Sequence, residues 1–157
     1  MAYKTKTYVA FDGDSEMNYY NTLKMWDKNN RIDFELHNAH DLKQARDSSS
    51  DESIKRSLRD RIRASKIVIL IVGPQTHHHT RFVKYEIEYA KSLGLPIVLA
   101  VLGNGVKPSS WFEDYPAIEV PFNLARINYA LKNWPEGSKG HKVKGDVGIW
   151  HYESDFR

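Results

Sequence analysis

The sequence predicts an α/β protein: a three-layer α-β-α arrangement around a mainly parallel central sheet. Three observations predict it. Residues 66–72 (Lys-Ile-Val-Ile-Leu-Ile-Val) and 96–102 (Pro-Ile-Val-Leu-Ala-Val-Leu) are continuously apolar after their first residue. Such runs suit strands buried on both faces, as in a parallel sheet. Stretches of helical period separate the apolar runs. The resulting order, strand and helix in alternation, is that of a layered α/β domain. No internal repeat and no long linker interrupts it, so the chain reads as a single domain over residues 1–157.

The elements follow in order. Residues 7–11 (Thr-Tyr-Val-Ala-Phe) read as a strand ending at the turn Asp12-Gly13-Asp14-Ser15. A helix over residues 16–30 follows, with Tyr19, Leu23 and Trp26 as its expected buried stripe. Residues 34–37 alternate and read as a second strand. Residues 39–53 are polar, with Ser48-Ser49-Ser50 at their centre, and read as a loop that could contain a short helix. Ser53 is the expected N-cap of a helix carrying Ile54, Leu58 and Ile62 at i, i+4 and i+8. The rest of that helix bears Lys55, Arg56, Arg59, Asp60, Arg61 and Arg63, which reads first as a solvated face and second as an acidic-partner or nucleic-acid surface. After the strand over 66–72, Gly73-Pro74 forms a stop. A helix over 81–93 then ends at Gly94, with Pro96 beyond. The strand over 96–102 ends at Gly103-Asn104-Gly105. Residues 124–131 read as a helix, and the Gly- and Lys-rich stretch from 135 to 157 as loose until Gly148-Ile149-Trp150.

Composition removes several function classes. The 157 residues are 41% hydrophobic and 27% charged, the balance of a soluble globular chain. Cys is 0, which excludes disulfides, zinc-thiolate sites, iron–sulfur clusters and a Cys nucleophile. The absence of Cys fits a cytoplasmic protein. No apolar run reaches the ~20 residues of a membrane helix, and the first residues lack the apolar core of a signal peptide. A net charge of +3 is too small to indicate nucleic acid. No Walker loop, Gly-x-Gly-x-x-Gly or Gly-x-Ser-x-Gly is present.

Glu86 is the most informative residue. With about 100° per residue and Phe82 at the origin, Leu93 falls near ~20°, Glu86 near ~40°, Ala90 near ~80°, Val83 near ~100° and Ile87 near ~140°. Glu86 therefore lies inside the apolar arc, whereas Glu88 falls on the opposite face. A carboxylate on the core side is costly unless paired or lining a cavity. Two readings stand open: a structural ion pair or a side chain reaching out at the helix end, and a site in a cleft. In open parallel sheets, ligands bind outside the carboxyl ends of the strands. That rule directs attention to the loops at 11–15, 37–41 and 73–80. His77-His78-His79 is a poor metal site, since adjacent loop histidines cannot all face one ion and no Cys assists. His37 and His40 flank the end of the second strand and read first as exposed loop residues and second as a ligand contact. Asp12 and Asp14 resemble the acidic pair of a receiver domain, but the strand over 66–72 ends without the Asp such a domain phosphorylates.

Taken in order, these segments resemble the TIR-like domains of bacteria, in the branch of the Thoeris antiphage systems. The resemblance covers about residues 5–102 and leaves 103–157 unplaced. It rests on Tyr8-Val9-Ala10-Phe11 leading into Asp12 and Asp14, on Leu23 and Trp26, on Asp41, and on Ile54 to Ser65 before the central strand. Its most specific part is Val68 to Gly73, followed by Thr76-His-His-His-Thr-Arg-Phe-Val-Lys-Tyr-Glu86. The BB-loop sequence of animal members is not recognisable here.

The resemblance implies a flavodoxin-like fold and an enzyme that cleaves the nicotinamide–ribose bond of NAD+, with Glu86 as the catalytic residue. NAD+ would be substrate, with no permanently bound cofactor and no metal. The implied product is an ADP-ribose-derived signal, cyclised or conjugated, read by a separate effector protein. A phage-derived activator and a homo-oligomer are the further partners to expect; a membrane is not, and nucleic acid is disfavoured. Substrate-binding candidates are Phe11 for stacking on a base, with a core residue at the strand end as its other reading, and Asp12, Asp14 and Asp41 for ribose hydroxyls. Gly73, Gln75 and Thr76 together with Arg81 are candidates for the pyrophosphate. The alternative is a non-catalytic TIR-like module acting by protein contacts or nucleotide binding.

Overall fold

The computed structural model describes residues 5–11, 16–29, 34–36, 51–78 and 82–152. Among them, six strands form one sheet: β1 (Thr5–Ala10), β2 (Phe34–Leu36), β3 (Ile67–Val72), β4 (Ile97–Val101), β5 (Pro116–Pro121) and β6 (Gly148–His151). Their order is β2-β1-β3-β4-β5-β6, and every pairing is parallel. Among the described residues, four helices cover the sheet: α1 (Met17–Lys28), α2 (Asp51–Arg63), α3 (Val83–Ser92) and α4 (Leu124–Lys144). This is the flavodoxin-like α/β arrangement expected from the sequence.

The alternation of side chains along each strand builds two cores. On one face, Tyr8, Ala10, Val68, Leu70, Val72 and Leu99 pack under α2 and α3. On the other, Val9, Phe11, Ile69, Ile71, Val98 and Ala100 pack under α1 and α4. All six residues of β3 are buried, as a central parallel strand requires. Each such side chain contributes about 1.5–3 kcal/mol, so β3 anchors both layers.

Helix α2 buries Ile54, Leu58 and Ile62, the expected stripe. It begins at Asp51, however, so Ser53 lies within its first turn and is not the N-cap. In α1 the buried residues are Tyr20 and Leu23, while Tyr19 is 39% exposed and Trp26 is half-buried. Tyr19 and Trp26 instead pack on Phe122, at ring distances of 5.2 and 5.7 Å. A spacing of four fits several helical faces, and the aromatic ring of Phe11, stacked on Tyr20 at 4.5 Å, selects the face one residue further on.

Helix α3 stops as its sequence indicates. Gly94 has φ +74°, its N–H donates to Lys91 O, and the Leu95 N–H donates to Ala90 O. These are the two bonds of a Schellman stop, which needs the left-handed conformation that glycine adopts freely.

The last third departs from expectation. Residues 135–144 are not loose: α4 runs to Lys144 with Pro135 inside it. Proline removes one backbone donor, yet Ile127, Ala130, Leu131, Trp134 and Ser138 form a buried stripe that spans it. Burial of that stripe outweighs the local penalty. Gly137 fits this packing, since a Cβ there would lie 2.9 Å from the Trp134 ring. Strands β5 and β6 were not read from the sequence as strands of the sheet. β5 carries a proline at each end, where strands tolerate it.

Candidate active site

The strand order reverses direction between β1 and β3, since β2 lies on one side of β1 and all later strands on the other. Such a switch point is where open α/β sheets bind ligands, at the carboxyl ends. Helix α3 leaves the carboxyl end of β3 by way of a short 3-10 turn, Thr76–His78. Its first turn therefore lies against the β1–β3 side of the sheet.

Glu86 occupies that first turn and is 0% exposed. Its Oε2 accepts a short hydrogen bond from the Tyr8 hydroxyl, across 78 residues of sequence. Tyr8 is itself fully buried at mid-strand, in register with Val68. Burial first, and the charge of Glu86 second, push the Tyr8 hydroxyl well above its usual range. The phenol thus stays protonated and remains a donor to the carboxylate. Glu88, two residues on, is exposed and pairs with Lys91 at 2.9 Å. The two glutamates thus lie on opposite faces of α3, as a spacing of about 100° per residue requires.

The basic face of α2 helps hold α3. Arg59 donates to the Tyr85 hydroxyl at 2.6 Å, Arg63 to the Tyr89 hydroxyl at 3.3 Å, and the Lys55 ammonium lies 4.8 Å from the Tyr85 ring centre. Cations spaced i, i+4 and i+8 thus face two tyrosines that flank Glu86 in sequence. Part of the basic cluster is accordingly packed against a neighbouring helix and is not simply a solvated face.

The other candidates separate. Phe11 lies on the opposite face of the sheet from Glu86, 0% exposed, with its ring on Tyr20. A buried ring already stacked in the core is not placed to stack on a substrate base. The Gly73 amide is also committed: it donates to Thr76 Oγ1 at 2.8 Å, and the Gly73 carbonyl accepts from Val106 N at 3.1 Å. Thr76 is buried and Gln75 exposed. Thus Gly73 and Thr76 shape the end of β3 through bonds to each other, and that amide is not open to a pyrophosphate. Asp12, Asp14, Asp41 and Arg81 lie outside the described residues, as do His37, His40 and His79. The rings of His77 and His78 meet at a tilt of 41°, with centres 3.8 Å apart, and among the described residues no group of three His, Asp or Glu side chains gathers to hold a metal.

One residue escaped the sequence reading. Glu16, the N-cap of α1, is 1% exposed and reaches the end of β3, where a Cβ on Gly73 would come 2.9 Å from its Oε2. A second buried carboxylate therefore stands at the switch point. An acid at a helix start is ordinarily read as favourable to the helix dipole, and that reading hides a buried one.

The parallel sheet with helices on both faces is the fold of a TIR-like α/β domain. The family model for the Thoeris protein ThsB, TIR-like domain, matches residues 8–106, and the chain belongs to this antiphage-defence family. The match runs from the first strand through β4 and includes both Tyr8 and Glu86. No curated protein matches the chain. Among the described residues, no helix is long and apolar enough to cross a membrane.

Proposed function

We propose that this domain cleaves NAD+ between nicotinamide and ribose, with Glu86 as the catalytic carboxylate. The observation that carries this reading is a glutamate buried completely in the first turn of α3, on the β1–β3 side where the strand order reverses. A buried carboxylate is expensive, and membership of the TIR-like family gives it a chemical use.

In the proposed reaction the C1′–N bond breaks and its electron pair passes to the nicotinamide ring nitrogen, neutralising the pyridinium. No proton is needed for departure. Positive charge grows on the ribose, and a fixed carboxylate in a low-dielectric site stabilises it. Water or a nucleophilic nitrogen then adds to C1′ and loses a proton, giving ADP-ribose, a cyclic form or a conjugate. That product is the proposed signal to a separate effector, and a phage-derived trigger is the proposed activator.

The structure adds one requirement to this scheme. Glu86 is covered, and its Oε2 is engaged by Tyr8. Substrate binding must therefore exchange the Tyr8 hydroxyl for a ribose hydroxyl, or move α3 off β1. This accounts for a domain that idles until triggered. The test is chromatography with mass analysis of NAD+ incubated with the protein, with and without lysate of phage-infected cells. Nicotinamide together with an ADP-ribose derivative is expected. A domain that releases no nicotinamide even with lysate is instead a non-catalytic module.

A further inference from the structure

Residues 135–151, the second half of α4 and the strand β6, are attached to the domain differently from the rest of the sheet. Buried apolar side chains hold β1, β3, β4 and β5, and the first half of α4 buries Ile127, Ala130, Leu131 and Trp134. Between 135 and 151 a single side chain is fully buried, and it is a serine, Ser138. Ile149 is half-buried against the core, while Val143, Val147 and Trp150 are 88%, 42% and 39% exposed. Burial of apolar area is what fixes one element on another, and this segment has little of it.

Local preference does not make up the difference. Pro135, Gly137 and Gly140 stand inside α4, and proline and glycine are the weakest helix formers. Trp134 Nε1, Ser138 Oγ and His141 Nδ1 are buried and meet no hydrogen-bond partner among the described residues. They follow one another along one face of α4, and His141 Nδ1 is 3.6 Å from Asp146 Oδ2, too far for a hydrogen bond. Polar groups buried in this way favour an opening that hydrates them. What holds the segment is polar and peripheral. β6 pairs only with β5, from Pro116–Gly148 to Glu119–His151, and the Lys142 ammonium donates to the Gly94 carbonyl at 2.7 Å. The two halves of the segment are also tied to each other. The His141 ring lies 4.6 Å from that of Trp150, and the Asp146 N–H donates to His141 O at 2.8 Å.

We infer that residues 135–151 form a strap that detaches as one unit while the sheet from β2 to β5 stays folded. Regions of few buried apolar contacts open in such cooperative pieces below the global unfolding free energy. Unhooked, the strap leaves β5 as the open edge of the sheet. It also takes His151 from the wall of a cleft of about 450 Å³ that Leu102 and Val120 help to line. The strap is thus a conformational device on the β5 side of the domain. Tyr8 and Glu86 lie on the β1–β3 side, so the inference is independent of the reaction proposed for them.

The test is amide hydrogen exchange of the full chain, followed by NMR at several urea concentrations below the unfolding transition. Amides of residues 138–144 and 149–151 should exchange about a hundredfold faster than those of β3, and should share one urea dependence, shallower than that of β3. Two variants separate the strap from the rest. Gly140→Ala places a Cβ where nothing lies within 4 Å; it should slow exchange about five-fold in the helix half and equally in β6, which it does not touch. Ile62→Val, in the α2 layer on the other face of the sheet, should speed β3 exchange about two- to ten-fold and leave the strap unchanged. Three results overturn the inference: equal exchange rates in the strap and β3, equal acceleration of both by Ile62→Val, or slowing by Gly140→Ala that is confined to the helix half.

Discussion

Tyr8→Phe removes one oxygen from the centre of the protein and tests how Glu86 is held. The phenol is fully buried and donates to a fully buried carboxylate. Phe keeps the ring and its packing, so the change isolates the hydrogen bond. A bond to a charged acceptor contributes about 1.5–3 kcal/mol, and loss of the donor leaves the carboxylate poorly solvated in the core. For a domain of this size, a loss of that order lowers Tm by roughly 3–12 °C. The alkaline limb supplies a second readout. The Tyr8 hydroxyl titrates well above 10.0 in the folded protein. In the unfolded chain it titrates near ~10. A group with a raised folded pKa gives stability that is complete below the unfolded value and lost as pH rises through the folded one. Stability should thus fall above pH ~10, and Tyr8→Phe should flatten that fall without abolishing it, because Tyr115 and Tyr152 are pushed up to about 12 by burial. The assay is urea denaturation at several pH values, read by tryptophan fluorescence. A variant within ~0.5 kcal/mol of the parent at neutral pH, with the same alkaline slope, would refute the Tyr8–Glu86 bond.

Two further substitutions probe the frame around the site. Gly105→Ala would place a Cβ 2.4 Å from the Val72 carbonyl oxygen, which backbone cannot yield cheaply; a loss of about 1–3 kcal/mol in urea denaturation is expected, and a neutral result would mean that the loop after β4 is not folded onto the end of β3. Pro135→Ala should raise stability by roughly 1–3 kcal/mol, since alanine restores a helical donor and the better propensity; an unchanged or lower Tm would show that α4 is not continuous through residue 135.

How much of this was legible in the sequence depends on the range of the interaction. Ile67–Val72 and Ile97–Val101 declare themselves because burial on both faces leaves no polar position in the run. Glu86 was visible because a helix projects its residues on a fixed wheel, and a charge in an apolar arc needs no partner to be noticed. Its partner was not visible: Tyr8 lies 78 residues away, and nothing local marks a tyrosine in a strand as a donor. The same limit left two readings of Phe11 open, a base-stacking ring and a core residue, and its place beneath Tyr20, a tertiary fact, decides for the core. Gly73 looked like an anion-binding turn, yet its amide was taken by Thr76, three residues on. In α4, the run Asn133-Trp134-Pro135-Glu136-Gly137 reads as a break by local propensity. Packing of Trp134 over Gly137 reverses that outcome. Glu16 was passed over because an acid at a helix start already has an adequate explanation.

The most direct test of the central claim compares nicotinamide release from NAD+ by the parent and by Glu86→Gln, under the same activating lysate and at equal folded concentration. Glutamine keeps the size of the side chain and removes its charge. The account predicts release by the parent, loss of about two orders of magnitude or more in the variant, and a cooperative melt for both. Parent-level release by a folded Glu86→Gln would contradict it.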